Sequence, residues 1–414
     1  MSRSMRILWI SHFVPWPATG HGALQRSHHL LRQTARRHEV HLVSLSKPEA
    51  LDAAGLAEAE RELGSLAASV HLEPIPAGGR KGDALLSLAS SASYWERWFR
   101  QPRMEAAIDA LVRAHDFDVV HLDIVFLARY LRGVTAVPLA LNHHNIESHL
   151  LHRRAASQGN PALRLFFRRE AEKVERLERD LATRAAVNLV VSRLDGERLR
   201  ELAPGVPVAE VPNGVDVEFF RPGGQVAAVP RSFVFAGGMD WFPNREAMQF
   251  LAAELWPALA ADDPSRTMTV VGREAPPELV RAAASDSRLR VAGFVDDVRP
   301  YIERAAVYLC PIRVGGGTRL KILDALAMQR PLVSTAIGVE GLGLVDGEHY
   351  LRAETPEEFV AAARRLEGDP ELGRRLAGAG RAFVLERYSW DRIGAQIDAA
   401  YAMAAGEPAG AAPA

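Results

Sequence analysis

The chain has 414 residues, enough at about 100–200 residues per domain for two or three domains, each with a buried core. Hydrophobic residues make up 48% and charged residues 24%, with 50 Lys and Arg against 51 Asp and Glu, a balance that excludes disorder and gives no basic excess to draw nucleic acid. The single cysteine, Cys310, excludes an intrachain disulfide framework and a Cys-rich metal centre.

In chain order, residues 5–10 (MRILWI) read as a strand, followed by a loop rich in Pro and Gly at 13–22, a helix over 23–37 and a strand at 39–45 (EVHLVSL). This is one βαβ unit. Residues 118–122 (DVVHL), 137–142 (VPLALN) and 186–192 (AVNLVVS) continue the sheet, because parallel strands covered on both faces are continuously apolar. From Leu163 the positions Leu163, Phe166, Phe167, Val174, Leu177 and Leu181 mark a long amphipathic helix. Its other face interleaves Arg, Lys and Glu with nearly cancelling sign, which favours a solvated, ion-paired surface over a membrane-contacting one. The rhythm breaks at residues 212–230, the expected interdomain linker. It restarts with strands at 232–236 (SFVFA), 267–271 (TMTVV), 289–291, 307–310 and 332–334, and helices at 245–259, 277–284, 298–304 and 318–327. The chain after 355 is helical in pattern, and GEPAGAAPA at its end has the composition of a frayed terminus. The expected division is therefore 1–212, 213–405 and a disordered tail at 406–414. No segment near the start has the length of a signal peptide and none approaches the ~20 apolar residues of a membrane span, so a soluble, cytoplasmic protein is expected.

The segment richest in chemistry is CPIRVGGGTRLKILDALAMQRPLVSTAIGVE, residues 310–340. A strand ends, three consecutive glycines follow, and an amphipathic helix starts. Glycines let backbone N–H groups approach a ligand, and a helix N-terminus adds further N–H groups and partial positive charge. Arg313, Arg319 and Lys321 surround that point, so the segment suits a phosphate or diphosphate better than a plain strand-to-helix turn. Asp324, eight residues after Gly316, can reach a ligand resting on the helix start and accept bonds from vicinal hydroxyls.

These residues resemble the signature of the retaining, metal-independent glycosyltransferases of family 4, which have the GT-B fold: two doubly wound, Rossmann-like α/β domains facing a central cleft. The signature's second acid aligns with Asp324, and DALAMQRPLVST follows the pattern after it. The first acid aligns with Gly316, a departure shared with a branch of the family carrying a G-G-G-T segment here. The resemblance implies ribose binding by Asp324, and moves the donor-sugar contact to Gly316, Gly317 or Thr318. Pro212-Asn213-Gly214-Val215-Asp216 is similar to the family's interdomain motif, and Phe235-Ala236-Gly237-Gly238 to the start of its second domain, placing Gly237 against the donor. Gly293-Phe294-Val295-Asp296-Asp297 resembles the loop that holds the nucleotide base, which points to Val295. Ser389-Trp390 resembles the start of a terminal helix that crosses back to the first domain. Relatives carry an Arg and a Lys after the second domain's first strand, whereas this chain reads GGMDWFPNREA. Arg313, Arg319 and Lys321 are expected to supply the missing charge, Lys321 first.

In the first domain, Gly20-His21-Gly22 resembles the family's glycine pair that faces the donor phosphates, so Gly20 and Gly22 join the donor site. A dinucleotide fingerprint is disfavoured, because about nine residues separate the strand from these glycines and the final glycine is missing. His143 and His144 end a strand, where an open α/β sheet gathers ligand groups. The resemblance makes His144 the catalytic residue beside the transferred sugar, with Glu147 as a weaker acceptor contact. No metal-ligand spacing is present, so no metal and no cofactor beyond the nucleotide-diphosphate sugar co-substrate are expected. The expected activity is transfer of a sugar from that donor to a hydroxyl of a carbohydrate, lipid-linked or small-molecule acceptor, without nucleic acid and with peripheral membrane contact left open. A nucleotide-sugar epimerase or hydrolase of the same fold, or a catalytically weak sugar-nucleotide binder, is the alternative.

Overall fold

The computed structural model describes residues 3–16, 22–47, 51–75, 81–224 and 227–407. Its contacts divide the chain into two units, Met1–Pro212 together with Trp390–Ala414, and Asn213–Ser389.

The first unit opens with β1 (Arg6–Ser11), α1 (Gly22–Ala35), β2 (Glu39–Ser46), α2 (Ala53–Gly64), β3 (Ser69–Pro74), α3 (Lys81–Leu88), α4 (Tyr94–Trp98) and α5 (Pro102–Ala114). It continues through β4 (Val119–Leu122), a 3-10 segment (Val125–Gly133), β5 (Leu139–Asn142), α6 (Glu147–Ala156), α7 (Pro161–Arg184), β6 (Val187–Val190), α8 (Arg193–Leu202) and β7 (Val208–Glu210). The strands are parallel in the order β3-β2-β1-β4-β5-β6-β7. β4, β5 and β6 are buried along their whole length, because helices cover both faces of a parallel sheet. The edge strands β3 (SVHLEP) and β7 (VAE) are only partly buried and correspondingly polar, which is why the apolar pattern passes over them.

The second unit runs β8 (Val229–Ala236), α9 (Phe242–Phe250), a π turn (Leu251–Leu255), α10 (Trp256–Asp262), β9 (Thr267–Val271), α11 (Pro277–Ser285) and β10 (Leu289–Gly293). Then come α12 (Arg299–Arg304), β11 (Ala305–Cys310), α13 (Leu320–Ala327), β12 (Leu332–Ser334), β13 (Leu351–Arg352), α14 (Pro356–Gly368) and α15 (Pro370–Arg387). The sheet is again parallel, in the order β10-β9-β8-β11-β12-β13. The single helix expected over 245–259 is instead α9, the π turn and α10. Pro257, at the start of α10, lacks the N–H that an unbroken helix would use, and the wider turn takes up the change.

The last helix, α16 (Trp390–Ala404), belongs to the first unit. Trp390 stacks on His29 of α1 with ring centroids 4.6 Å apart, Asp398 pairs with Arg37 at 2.6 Å, and the Tyr401 hydroxyl lies 2.9 Å from His121 Nδ1 on β4. Among the described residues, no helix is long and apolar enough to cross a membrane.

Candidate functional site

In each sheet the strand order reverses at one place, between β1 and β4 in the first unit and between β8 and β11 in the second. Loops leaving the strand C-termini diverge there and open a crevice for ligands. The chemistry-bearing residues gather at both places.

In the second unit the loop after β11 carries the glycines and leads into α13. Gly315 has φ 123°, and a Cβ on it would lie 2.9 Å from the Pro243 ring, so glycine is required by both backbone and space. The α13 start at Leu320 has no side-chain cap, which leaves its first N–H groups for a ligand. Lys321 turns from this helix toward the loop after β8. Its Nζ donates to Asn244 Oδ1 at 2.6 Å and lies 4.4 Å over the Phe235 ring, while Asn244 Nδ2 donates to the Gly238 carbonyl at 2.6 Å. A Cβ on Gly237 would sit 2.2 Å from that ammonium, so Gly237 and Lys321 are in direct contact. The neighbouring loops are tied to the same point, Gly237 N–H donating to Val271 O at 2.8 Å and Gly272 N–H to Gly293 O at 2.8 Å. Val295 follows β10 half-buried, next to Phe294, which is 70% exposed.

Burial pushes the Lys321 ammonium down to about 8. Burial also pushes Asp324, one turn further along α13, up to about 8 against the opposing pull of Lys321. Burial thus works against the charged form of both groups, loosening the hold of Lys321 on its proton and favouring the neutral carboxyl at Asp324. The Cys310 thiol, fully buried, is pushed up as well and takes no part.

The three expected cations are not equivalent. Arg319 is 7% exposed, and its Nη1 donates to the Gly316 and Gly317 carbonyls, so it fastens the glycine turn from within. Arg313 donates twice to Glu246 Oε1, at 3.1 and 2.6 Å, and lies 3.9 Å over Phe250, so a carboxylate already matches its charge. Thr318 Oγ1 accepts from Asn213 Nδ2 at 2.7 Å, which gives the Pro-Asn-Gly segment a local role in holding the glycine turn. A further cation escaped the sequence reading. Arg273, just after β9, reaches to 3.7 Å from where a Gly238 Cβ would stand and pairs with Asp240 at 2.9 Å. Its position two residues beyond the TMTVV strand was the available signal.

In the first unit the centre is Asp123, which follows β4 and is fully buried. One carboxylate oxygen accepts from Ser11 at 2.9 Å and Ser27 at 2.5 Å, the other from Asn142 Nδ2 at 2.7 Å and His144 Nε2 at 3.1 Å. Burial pushes this carboxyl up, but His144, His121 and the hydrogen bonds outweigh it and hold the acid well below its ordinary range. His144 thereby keeps its Nε2 proton on Asp123, and its Nδ1 is buried with no hydrogen-bond partner among the described residues. His12, Asp123 and His144 place ligand atoms within 4.8 Å of one another, a grouping drawn from three strand ends that no linear spacing reveals. The neighbouring His143 turns the other way. Asn188 Nδ2 donates to two carbonyls, so its Oδ1 accepts from His143 Nε2 at 3.0 Å, and burial pushes the imidazole down to about 4. Glu147 lies half-buried at the start of α6, accepting from Asn145 at 3.2 Å. Gly22 is the exposed first residue of α1, and Gly20 lies outside the described residues.

Two family models match the chain, "Glycosyltransferase Family 4" over residues 21–219 and "Glycosyl transferases group 1" over residues 230–369. The phosphatidyl-myo-inositol mannosyltransferase of Mycobacterium tuberculosis is 30% identical over 220 residues, covering 50% of this chain and 57% of that protein. Its Mycolicibacterium smegmatis counterpart is 30% identical over 214 residues, covering 49% and 54%. The chain thus spans little more than half the length of the curated relatives it matches. Among solved structures, a sucrose-phosphate synthase from Thermosynechococcus elongatus superimposes with TM-score 0.71 at 17% identity, over 95% of this chain and 97% of that one. Anabaena HepE in complex with UDP-glucose gives TM-score 0.66 at 14% identity, over 95% and 98%. These likenesses establish the GT-B fold, and with the two family matches dividing the chain between them, it belongs to the group 1, family 4 glycosyltransferases.

Proposed function

We propose that this protein is a retaining glycosyltransferase that moves a sugar from a nucleotide-diphosphate donor to an acceptor hydroxyl. The observation that carries this reading is the contact of Lys321 with Asn244 and Gly237 at the point where the second sheet reverses, beside the uncapped start of α13. That cradle suits the diphosphate: N–H groups and a fixed ammonium stabilise the charge that develops on the leaving phosphate as the glycosidic bond breaks. Asp324 binds the ribose hydroxyls, Val295 borders the base, and Gly316, Gly317 and Thr318 serve the sugar. His144, with its proton held by Asp123, presents Nδ1 to a sugar hydroxyl. No side chain stands out as a nucleophile, which favours attack of the acceptor on the face the leaving group departs from, with no covalent intermediate.

The reaction runs without a divalent metal, since Lys321 and the helix start carry the charge stabilisation. The acceptor is a carbohydrate, a lipid-linked sugar or a small molecule, and the protein works in the cytoplasm, including at the inner membrane face. The mannosyltransferase relatives and the UDP-glucose complex of HepE support a nucleotide-sugar donor of this class. Nucleotide release is measured with candidate donors in the presence and absence of acceptor sugars. Acceptor-dependent release is expected; release that ignores the acceptor, or donor binding with no turnover, refutes the assignment.

A further inference from the structure

The first unit contains a cavity of about 630 Å³ whose lining includes Arg97, Arg100, Arg129, Arg132 and Arg184 against a single acid, Glu96. The volume is that of a small-molecule site. In a chain with a formal charge of −1, five arginines and one glutamate in the lining, with Glu105 pairing Arg129 from outside it, leave a local positive excess. Glu96 offsets one of these charges, its carboxylate also accepting the Ser93 N–H at 2.7 Å in the cap of α4. Arg129 gives its Nε–H to Glu105 at 2.6 Å, whereas the side chains of Arg100, Arg132 and Arg184 have neither a carboxylate nor a carbonyl partner among the described residues. The like charges of Arg100, Arg132 and Arg184 repel one another, and an anion would relieve that repulsion.

The walls are held together by the fold rather than brought near by chance. The Tyr130 hydroxyl in the 3-10 segment donates to the Phe99 carbonyl at 2.6 Å and accepts the Gln101 N–H at 2.9 Å, joining that segment to the turn after α4. On the other side, buried Glu170 of α7, paired with Lys173, accepts the Tyr94 N–H at 2.7 Å and fixes the start of α4. Trp98, Ala128 and Leu131 add apolar wall. Thr135 and Arg184 of the lining precede β5 and β6, at the N-terminal edge of the sheet, while Trp98 reaches toward the C-terminal edge, where Lys47 lies 4.7 Å from its ring; the hollow therefore starts near the rim of the crevice, but neither Asp123 nor His144 lines it.

We propose that this cavity is a second anion site, separate from the donor site, that takes a phosphate-bearing ligand. Planar guanidinium groups match phosphate oxygens two at a time, and several of them around one hollow suit a group with more than one negative charge. A soluble phosphorylated molecule and the headgroup of an anionic phospholipid share this chemistry.

The test uses the full chain in a Lys321→Ala background, which weakens pyrophosphate binding at the donor site. Inorganic pyrophosphate is titrated calorimetrically into that chain and into the same chain carrying Arg100→Gln, Arg132→Gln and Arg184→Gln. Both are also sedimented with phosphatidylcholine vesicles containing phosphatidylglycerol. The three side chains are exposed, so their replacement leaves the core packed, and thermal melting checks this. The triple replacement is expected to weaken one of the two probes about 10- to 100-fold, the loss of one or more charge-assisted contacts. A fall in pyrophosphate binding identifies a soluble ligand, and a fall in vesicle binding identifies a lipid headgroup. A control with the same charge removed from exposed positions of the second unit, Arg281→Gln, Arg290→Gln and Arg375→Gln, is expected to bind as the parent does. Absence of binding to either probe, equal binding by parent and triple variant, or an equal fall in the control overturns the site.

Discussion

At the residue scale, Lys321 combines two properties that pull against each other: burial favours its neutral form, and an anionic ligand favours its charged form. Lys321→Ala is expected to lower kcat/KM for the donor by about 10- to 100-fold, the range for one charge-assisted contact, and steady-state kinetics checks it. The pH dependence has a definite sign. Above about 8 Lys321 loses its proton and Asp324 becomes an anion, and both changes oppose a diphosphate, so nucleotide-diphosphate affinity measured by calorimetry should fall as pH rises through about 8. A flat profile from pH 7 to pH 9 would count against the pair. Gly237→Ala tests the same contact from the other side, since the new methyl must displace the ammonium from its 2.2 Å position. It should reduce donor affinity and, because Gly237 has φ 159°, also lower the melting temperature, whereas Lys321→Ala in the same chain should restore part of the lost stability by removing the clash.

At the scale of elements, two buried acids hold pieces of the first unit in place. Asp123 joins the ends of β1, β4 and β5 through Ser11, Asn142 and His144. Asp123→Asn puts an amide N–H₂ among donors, and with at least one buried donor left unmatched, unfolding in denaturant should show a loss of about 1–3 kcal/mol. Glu178 reaches from α7 to the start of α6, where its carboxylate accepts the Glu147 N–H at 2.6 Å and the Ser148 N–H at 3.0 Å. Glu178→Ala removes this cap from a neighbouring helix and should destabilise by about 0.5–2 kcal/mol, read by the same denaturant titration. His143 sets an acid limit. In the folded chain it stays neutral down to about 4, whereas unfolded it takes a proton near the usual 6.5. Between those values the unfolded state binds more protons, so stability should decline as pH falls from about 6.5 to about 4. His143→Gln should flatten that part of the curve.

For the molecule as a whole, the membership of α16 in the first unit has a mechanical consequence. Ile393, Ile397 and Tyr401 are buried, and Tyr401 reaches His121 under the sheet. A chain ending at Ser389 would expose that surface, and its thermal melt is expected to lose or greatly lower the first unit's transition while the second unit's persists. The proposed chemistry draws its charge stabilisation from Lys321 and the start of α13, so turnover should survive excess EDTA within about twofold, less than the tenfold that 1.4 kcal/mol represents.

The sequence by itself determined the layered α/β architecture, because parallel strands covered on both faces are written as contiguous apolar runs, and β1, β2 and β8 are visible as such. It also showed three glycines before an amphipathic helix, a local pattern that needs no tertiary knowledge and on which the proposed phosphate site rests. Tertiary structure decided what the charges there do. Arg319 is drawn inward by the carbonyls of its own turn and Arg313 by Glu246, partners 2 or 3 residues away in one case and 67 in the other, and only Lys321 is left against the glycine loop. The Asp123 and His144 pair was likewise invisible, because the two residues stand at the ends of adjacent strands and their meeting depends on sheet order. So was the arginine cavity, whose arginines come from α4 and the turn after it, the 3-10 segment and the end of α7. Hydrophobic periodicity is a local property and survives in the linear text, whereas pairing of charges depends on distances that only the folded chain sets.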